Sequence, residues 1–417
     1  MNYIESLNFI NSFAMFGTKS SMKQFMELLY ALKNPHQQLK FIHIAGTNGK
    51  GSTSTMISNI LINAGIKTGL YISPYVIEFR ERIQIDGKMI SESGLCDCIK
   101  QVKECIQNLK YNAYSYFEIV TAVALLWYHK QQCDVVVLEV GLGGRLDATN
   151  VIECPLVQVI TSIGLDHTHI LGDDILQIAT EKAGIIKGAT TVIYPIQEAG
   201  VLELISSICH KKNSKIVIPD LQALNILDTS FRAKEFIYKT LRFNKSLLGQ
   251  FQIYNAICAI EVALNLKEYF NITDEDIISG INNTFFPARL EVVNEAPLII
   301  LDGAHNPSGI KALNKAISNF KQLIIIIGVL EDKDYISMLK YIVPRGTCII
   351  AVTPNHKQAM PAHKLKQLIN HNNVTAYNNP KDAIEYALTI AKKNDTIIIC
   401  GSLYLVSEMR KFFSSPL

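Results

Sequence analysis

The stretch Phe41-Ile-His-Ile-Ala-Gly-Thr-Asn-Gly-Lys-Gly-Ser-Thr53 is a short apolar run that passes through three glycines into a hydroxyl-rich helical pattern. This order predicts a strand, a phosphate-binding loop and a helix, because glycines let backbone N–H groups approach phosphate oxygens at a helix N-terminus. Lys50 supplies a positive charge, and the Ser52 hydroxyl can bind the magnesium that accompanies a nucleoside triphosphate. The predicted nucleotide-binding residues of this loop are Thr47, Asn48, Gly49, Lys50, Gly51 and Ser52.

The loop is a variant of the usual phosphate-loop motif. Gly51 separates Lys50 from Ser52, whereas the standard pattern places a hydroxyl residue directly after the lysine. A plain strand-to-helix turn is the alternative interpretation, but the flanking strand and helix together with the lysine and the hydroxyl favour a phosphate site.

Composition limits the class of protein. The chain has 417 residues, more than one hydrophobic core usually supports, so two domains are expected. The net charge of +3, from 40 basic and 37 acidic residues, indicates neither a nucleic acid nor an anionic membrane as main partner. The nine cysteines lack zinc-site spacing, and neither a signal peptide nor an 18-residue apolar run is evident. We therefore expect a cytoplasmic protein, and a monomer.

The remaining pattern predicts an α/β fold: a phosphate-loop NTPase-like N-terminal domain with a mostly parallel sheet, and a smaller doubly wound α/β C-terminal domain. We place the first domain at residues 1–294 and the second at 295–417. A helical segment over residues 3–33, with a break at Phe16-Gly17, precedes the first strand. The second domain's predicted strands are Leu298–Leu301, Gln322–Ile327, Thr347–Val352 and Thr396–Cys400.

Polar residues follow buried strands at the edge where parallel sheets bind ligands. Glu139 lies near the end of the apolar run 134–140, and His167 follows the strand predicted over 156–164. Asp302 and His305 follow the first strand of the second domain in the same way. Each could be a satisfied structural residue, but their positions favour a metal or nucleotide site.

Lys182 is the most informative residue after the phosphate loop. Ile175, Ile178, Ala179 and Ile186 share its face of the predicted helix, so the amine is expected to be buried. A buried ammonium is costly, and it must be paired or lose its proton. A neutral amine could react with carbon dioxide to form an anionic carbamate. A lysine whose side chain snorkels to the edge of the stripe is the alternative.

These blocks resemble the folylpolyglutamate synthase and dihydrofolate synthase family, relatives of the Mur ligases. The resemblance runs from about Phe16 to Met409 and rests on several blocks in one order. They are Ala45-Gly-Thr-Asn-Gly-Lys-Gly-Ser52, Ser73-Pro74 with Phe79-Arg-Glu-Arg-Ile83, Leu138-Glu-Val-Gly-Leu-Gly-Gly-Arg-Leu-Asp-Ala-Thr-Asn150, Asp166-His-Thr168, Glu181-Lys-Ala-Gly-Ile-Ile-Lys187, Leu301-Asp-Gly-Ala-His-Asn-Pro307 and Gly401-Ser-Leu-Tyr-Leu-Val406.

The resemblance implies an ATP-dependent amide ligase that joins L-glutamate to a folate or to dihydropteroate, with the nucleotide between two domains. The implied ligands of two magnesium ions are Ser52, Ser73, Glu139 and His167. The implied nucleotide contacts outside the loop are Asn255, Arg289, Asp302 and His305. It also implies carbamylation of Lys182, and catalytic roles for Lys50, Lys182, Asp302 and His305.

Four further residues are expected to bind substrate. Arg80 and Arg82 could recognise a carboxylate with their forked guanidinium groups, or lie in a solvated loop. Phe117 resembles a pterin contact, and Arg145 lies in a glycine-rich loop that is placed to close over a site.

The sequence departs from the family pattern at three positions, and parts of it are compatible with three other functions. The family often has histidine where this chain has Tyr75 and Phe251, and glycine where it has Ala288. A Mur-type ligase acting on another carboxylate would carry a separate N-terminal uridine-nucleotide domain. A phosphate-loop NTPase without ligase activity would need no buried lysine. A catalytically silent paralogue that binds folate would not need to retain Lys50, Glu139, His167 and Lys182.

Overall fold

The computed structural model describes residues 1–14, 22–110, 113–228, 234–245 and 248–414. The break predicted at Phe16-Gly17 lies outside the described residues. Within them, strands and helices alternate around two large sheets, so the predicted α/β class is confirmed. No helix in this part of the chain is both long enough and apolar enough to span a membrane.

The secondary structure has the following bounds. The strands are β1 (Phe41–Ala45), β2 (Thr68–Tyr71), β3 (Ile83–Ile85), β4 (Lys88–Met89), β5 (Val135–Glu139), β6 (Val157–Ile160), β7 (Thr190–Ile193), β8 (Ile216–Val217), β9 (Leu224–Ile226), β10 (Lys234–Tyr238), β11 (Leu241–Lys245), β12 (Glu291–Glu295), β13 (Leu298–Leu301), β14 (Leu323–Ile327), β15 (Cys348–Val352), β16 (Val374–Tyr377) and β17 (Thr396–Cys400). The α-helices are α1 (Tyr3–Asn11), α2 (Met22–Ala31), α3 (Lys50–Asn63), α4 (Glu92–Gln107), α5 (Tyr116–Lys130), α6 (Thr168–Leu171), α7 (Ile175–Ala183), α8 (Val201–Lys211), α9 (Gln250–Leu266), α10 (Asp274–Asn282), α11 (Pro307–Ala316), α12 (Tyr335–Ile342), α13 (Ala362–Leu368), α14 (Pro380–Ile390) and α15 (Leu403–Ser414). Short 3-10 helices cover Pro35–Gln38, Phe79–Arg82, Ala148–Val151, Leu221–Ala223 and Val343–Arg345.

The first sheet places the phosphate loop at its centre. Its strand order is β4-β3-β2-β5-β1-β6-β7-β8, and β1 pairs in parallel with both β5 and β6. Helices α3 and α9 pack on one face of this sheet and α4 and α5 on the other, which explains why β1 and β5 are apolar without alternation. The residues that follow β1, β5 and β6 therefore meet at one edge.

The second sheet has the order β12-β13-β17-β14-β15-β16, and all its strands are parallel except β12. Strand β12 pairs with β13, so the predicted domain boundary between residues 294 and 295 falls inside a strand of this sheet. Strand β16 and the small antiparallel sheet β11-β10-β9 were not identified from the sequence.

A short linker joins the two domains. Phe286 packs in the first domain's core, whereas the backbone after it is bound to the second domain. Gly303 N donates to Ala288 O at 2.8 Å, and Leu290 N donates to a carboxylate oxygen of Asp302 at 2.9 Å. Ala288 and Leu290 have left-handed φ angles of 60° and 51°, so this turn is strained for residues that carry a Cβ.

Candidate active site

The phosphate loop is fixed by backbone contacts to the segment that follows β6. Thr47 N and Asn48 N both donate to Ser162 O, at 2.8 and 3.2 Å. Gly49 has a φ of 87°, and a Cβ there would lie 2.5 Å from the Asn255 amide oxygen. Glycine is therefore required at this position. Lys50 begins α3, and its ammonium lies over the loop, 3.1 Å from Gly46 O.

Beneath the loop, a chain of buried amides supports Ser52. Gln252 Nε2 donates to Ser52 Oγ at 3.2 Å, and Asn255 Nδ2 donates to Gln252 Oε1 at 2.9 Å. The predicted residues Ser52 and Asn255 are thus brought together. Gln252 was missed, although it lies three residues before Asn255 on α9 and so on the same helix face.

Glu139 and Ser73 meet beside Lys50. The Glu139 side chain is only 3% exposed, and one of its oxygens accepts a hydrogen bond from Ser73 N at 3.1 Å. Burial raises the pKa of Glu139 to about 7, although Lys50 and Arg289 oppose the shift.

The side chains at this edge suit magnesium. Ser52, Ser73 and Glu139 offer hydroxyl and carboxylate oxygens, the donors that this hard cation prefers. Within the described ranges, no three His, Cys, Asp or Glu side chains form a metal site by themselves. A magnesium ion here would therefore depend on hydroxyl groups and on phosphate oxygens of the nucleotide.

We expect Glu139→Gln to remove a pH dependence of stability. Folded Glu139 holds its proton up to about pH 7, whereas in the unfolded chain its carboxyl has the ordinary pKa of 4.5. Wild-type stability must therefore fall as pH rises through this window. The advantage of Glu139→Gln over the wild type should grow by roughly 3 kcal/mol between pH 4.5 and 7.5. Urea unfolding without nucleotide measures this, with exposed Glu275→Gln as control. A pH-independent difference would contradict the assignment.

Lys182 is buried beneath the phosphate loop. It is 4% exposed, and its Nζ donates to Gly46 O at 2.8 Å. The predicted burial is confirmed, and the snorkelling alternative is wrong. Burial and the neighbouring Lys50 ammonium lower the pKa of Lys182 to about 7, while Asp166 and Asp147 oppose the shift. A large share of this amine is therefore neutral near pH 7.

The glycine-rich loop after β5 closes over Lys182. Asp147 fixes its shape, because the carboxylate accepts hydrogen bonds from Leu142 N and from the Thr149 amide and hydroxyl. Arg145 N donates to Glu181 O, and the exposed Arg145 guanidinium pairs with the Glu181 carboxylate at 2.9 Å. The loop is thereby tied to α7, and substrate binding by Arg145 stays a prediction.

The two arginines after the cis Ser73-Pro74 peptide differ in their surroundings. Arg80 pairs with Glu78 at 2.9 Å, so its charge is already compensated. Arg82 is 7% exposed, it lies against the rings of Tyr75 and Tyr116 at 5.3 and 5.7 Å, and its buried Nε has no hydrogen-bond partner among the described residues. Of the two, Arg82 has the greater capacity for an anion.

Phe117 lies at the start of α5, where its ring packs against the loop after β5. A Cβ added at Gly141 would lie 2.5 Å from this ring, and the ring of Tyr71 is 5.8 Å away. The ring therefore borders the glycine-rich loop, and pterin binding by Phe117 stays a prediction.

Asp166 joins the two domains. Its carboxylate lies 2.8 Å from Lys333 Nζ and accepts from Asn306 Nδ2 at 3.0 Å, and both partners belong to the second domain. His167 and His305 lie within 4 Å of the same carboxylate. Burial alone would raise the pKa of Asp166, but His305, Lys333 and His167 hold it well below its usual value. Burial lowers the pKa of both histidines to about 4.

In the second domain, the Asp302 carboxylate is bound by backbone amides. It is 4% exposed, and its two oxygens accept from Leu290 N and Ala304 N, both at 2.9 Å. Arg289 lies beside it, and a Cβ at Gly303 would meet the Arg289 guanidinium at 2.3 Å. Asp302 therefore holds the linker that carries Arg289, and a direct role for Asp302 in catalysis or nucleotide binding stays a prediction.

Comparison with known proteins agrees with this geometry. The Mur ligase middle domain matches residues 44–263, and the Mur ligase glutamate ligase domain matches residues 288–403. The dihydrofolate synthase/folylpolyglutamate synthase of Bacillus subtilis is 34% identical over 98% of both chains. The Mycobacterium tuberculosis folylpolyglutamate synthase solved with ADP is 28% identical over the full length of both chains, with a TM-score of 0.90. Escherichia coli FolC, solved with DHPP and ADP, is 27% identical over 99% of this chain and 98% of its own, with a TM-score of 0.86. This chain therefore belongs to the family of the folylpolyglutamate and dihydrofolate synthases, which are Mur-type ligases.

Proposed function

We propose that this protein is an ATP-dependent ligase that adds L-glutamate to the γ-carboxylate of a (tetrahydro)folate and also to dihydropteroate. The observation that carries the proposal is the position of the Lys182 amine, which is buried 2.8 Å from a carbonyl of the phosphate loop and has its pKa lowered to about 7. A phosphate-loop NTPase switch has no use for a buried amine there. The named activities of the relatives and their ADP complexes support the same choice.

The reaction would run in two steps. A carboxylate oxygen of the pterin substrate attacks the γ-phosphorus of ATP, ADP leaves, and an acyl phosphate forms. Lys50 would stabilise the charge on the transferring phosphoryl group. The amine of L-glutamate then attacks the carbonyl carbon, the nitrogen loses a proton, and inorganic phosphate leaves. No protein nucleophile is required.

Ser52, Ser73, Glu139 and His167 would hold two magnesium ions, which when bound polarise phosphate oxygens. The neutral amine of Lys182 would attack carbon dioxide and lose a proton, giving an anionic carbamate beside the phosphate loop. Burial of the amine supports this proposal, since only the unprotonated form is nucleophilic.

The substrate contacts follow from charge and position. Arg82 would pair with a substrate carboxylate, Phe117 would contact the pterin, and Arg289 would reach the nucleotide from the linker. Closure of the second domain, which carries His305, would exclude water from the acyl phosphate.

The unpaired state of the nine cysteines supports a reducing, cytoplasmic location. We propose a monomer because the two domains of one chain would complete the site.

The test is phosphate release from the purified protein with Mg-ATP and L-glutamate, with dihydropteroate, tetrahydrofolate or neither added, and mass detection of the product. We expect release with each pterin and a product one glutamate heavier. Arg82→Met should raise the KM for the pterin by about tenfold or more, because a charge-assisted pair is lost. Arg80→Met is the matched control and should leave this KM unchanged.

The outcomes separate the alternatives. Release that ignores both pterins and yields no amide would support an NTPase and refute the ligase assignment. Amide formation only with another carboxylic acid would support a Mur-type ligase of different specificity.

A further inference from the structure

Lys333 lies in the cleft between the two domains, outside the sequence blocks that carry the family resemblance. It follows β14 in the second domain, and its ammonium lies 2.8 Å from Asp166 Oδ1 and 3.3 Å from His167 Nε2 in the first. The side chains of Lys333 and Asp166 are 9% and 10% exposed. The pair is thus largely withdrawn from water. Buried ion pairs are screened less by solvent and salt than ion pairs on the surface.

The contact extends to the phosphate loop. Asn306 Nδ2 donates both to Asp166 Oδ2, at 3.0 Å, and to Asn48 Oδ1, at 3.1 Å. We call these five residues, Asn48, Asp166, His167, Asn306 and Lys333, the interdomain clasp. The clasp joins one wall of the nucleotide site to the second domain.

Lys333 occupies a position that suits a metal cation. An ammonium group only donates hydrogen bonds, so His167 Nε2 must be the acceptor in their contact. A metal ion binds an imidazole through the same kind of lone pair. His167 Nε2 therefore cannot bind Lys333 and a divalent ion together, and the positive charge of Lys333 would repel such an ion at this distance.

We infer that Lys333 is a positioning residue, which occupies the cation site at Asp166 and His167 until a divalent ion displaces it. Displacement removes the Lys333 contact of the interdomain clasp and leaves those of Asn306, so cation binding at His167 is coupled to how firmly the two domains are held together. The inference rests on the proposed role of His167 as a metal ligand. It adds a role for Lys333, which His167 does not need in order to bind a metal.

The experiment is titration of the full chain, without nucleotide, with manganese(II) chloride by isothermal calorimetry. The relevant site is the one that His167→Asn removes. Lys333→Met should bind Mn²⁺ at this site about tenfold more tightly than the wild type, because a neighbouring positive charge is lost. Lys333→Arg, which keeps the charge, and Lys340→Met, an exposed lysine on α12, should match the wild type.

Small-angle scattering supplies a readout of the domains. The wild-type radius of gyration should rise when Mn²⁺ is added, and that of Lys333→Met should already be larger and should not respond. Unaltered or weaker Mn²⁺ binding by Lys333→Met would overturn the inference while leaving the proposed function intact, as would Lys333→Arg behaving like Lys333→Met. If His167→Asn removes no Mn²⁺ site, the metal role of His167 fails first, and the inference fails with it.

Discussion

Lys182→Met should lower the kcat of glutamate ligation by about 10³-fold, a loss comparable to that of a preorganised charge at a reacting group. Methionine has nearly the shape of lysine, so the fold should persist, and removal of a buried amine relieves its desolvation. Lys182→Arg should fail as well, because arginine stays protonated and cannot form a carbamate. Lys211→Met, at the exposed end of α8, is the matched control.

Carbon dioxide dependence identifies the chemical form of Lys182. Because the pKa of Lys182 is lowered to about 7, the reactive amine increases as pH rises through 7. Bicarbonate should therefore activate CO₂-depleted wild type more at pH 8 than at pH 6, and ¹³C-bicarbonate should give a carbamate signal that is absent in Lys182→Met. Full activity without carbon dioxide, at every pH, would refute the carbamate.

Lys50→Met should also lower kcat by about 10³-fold, because the charge on the transferring phosphoryl group loses its nearest ammonium. A second effect follows from the structure. The Lys50 charge helps to lower the pKa of Lys182, so its removal should raise that pKa and move carbamate formation to higher pH. The ¹³C signal measures this shift even when turnover is too slow to follow.

The double variant tests whether the two lysines act as a unit. Groups that share one step show strongly non-additive losses. Lys50→Met with Lys182→Met should therefore be little slower than the slower single variant. Losses that multiply would show that the two lysines act independently.

Several features were predictable because they depend on local pattern. A parallel strand buried on both faces has a continuous apolar run, so β1, β5, β13 and β14 were identified, with errors of about one residue at their ends. The burial of Lys182 followed from its helical stripe. Glu139 stood out because a carboxylate is rare within an apolar strand.

Other features depend on contacts between distant segments. Lys333 lies in Glu331-Asp-Lys-Asp334, a sequence typical of a solvated loop, and its partner Asp166 is 167 positions away. Nothing local distinguishes it from a surface lysine. The sequence could not distinguish the environments of Arg80 and Arg82 either. Arg80 forms an ion pair with Glu78, whereas Arg82 lies against aromatic rings. Short edge strands such as β16 bury little and have a weak pattern.

The linker also sets the number of ways in which the domains can move. The Phe286 ring belongs to the first domain's core and approaches the phosphate loop, since a Cβ at Gly51 would lie 3.0 Å from it. The Ala288 carbonyl is already bound to the second domain through Gly303 N. Only Pro287 lies between these two anchors, and its ring restricts φ. Few backbone torsions are therefore free, and we expect the second domain to rotate about essentially one axis, so that each closure returns Arg289 and His305 to the same place.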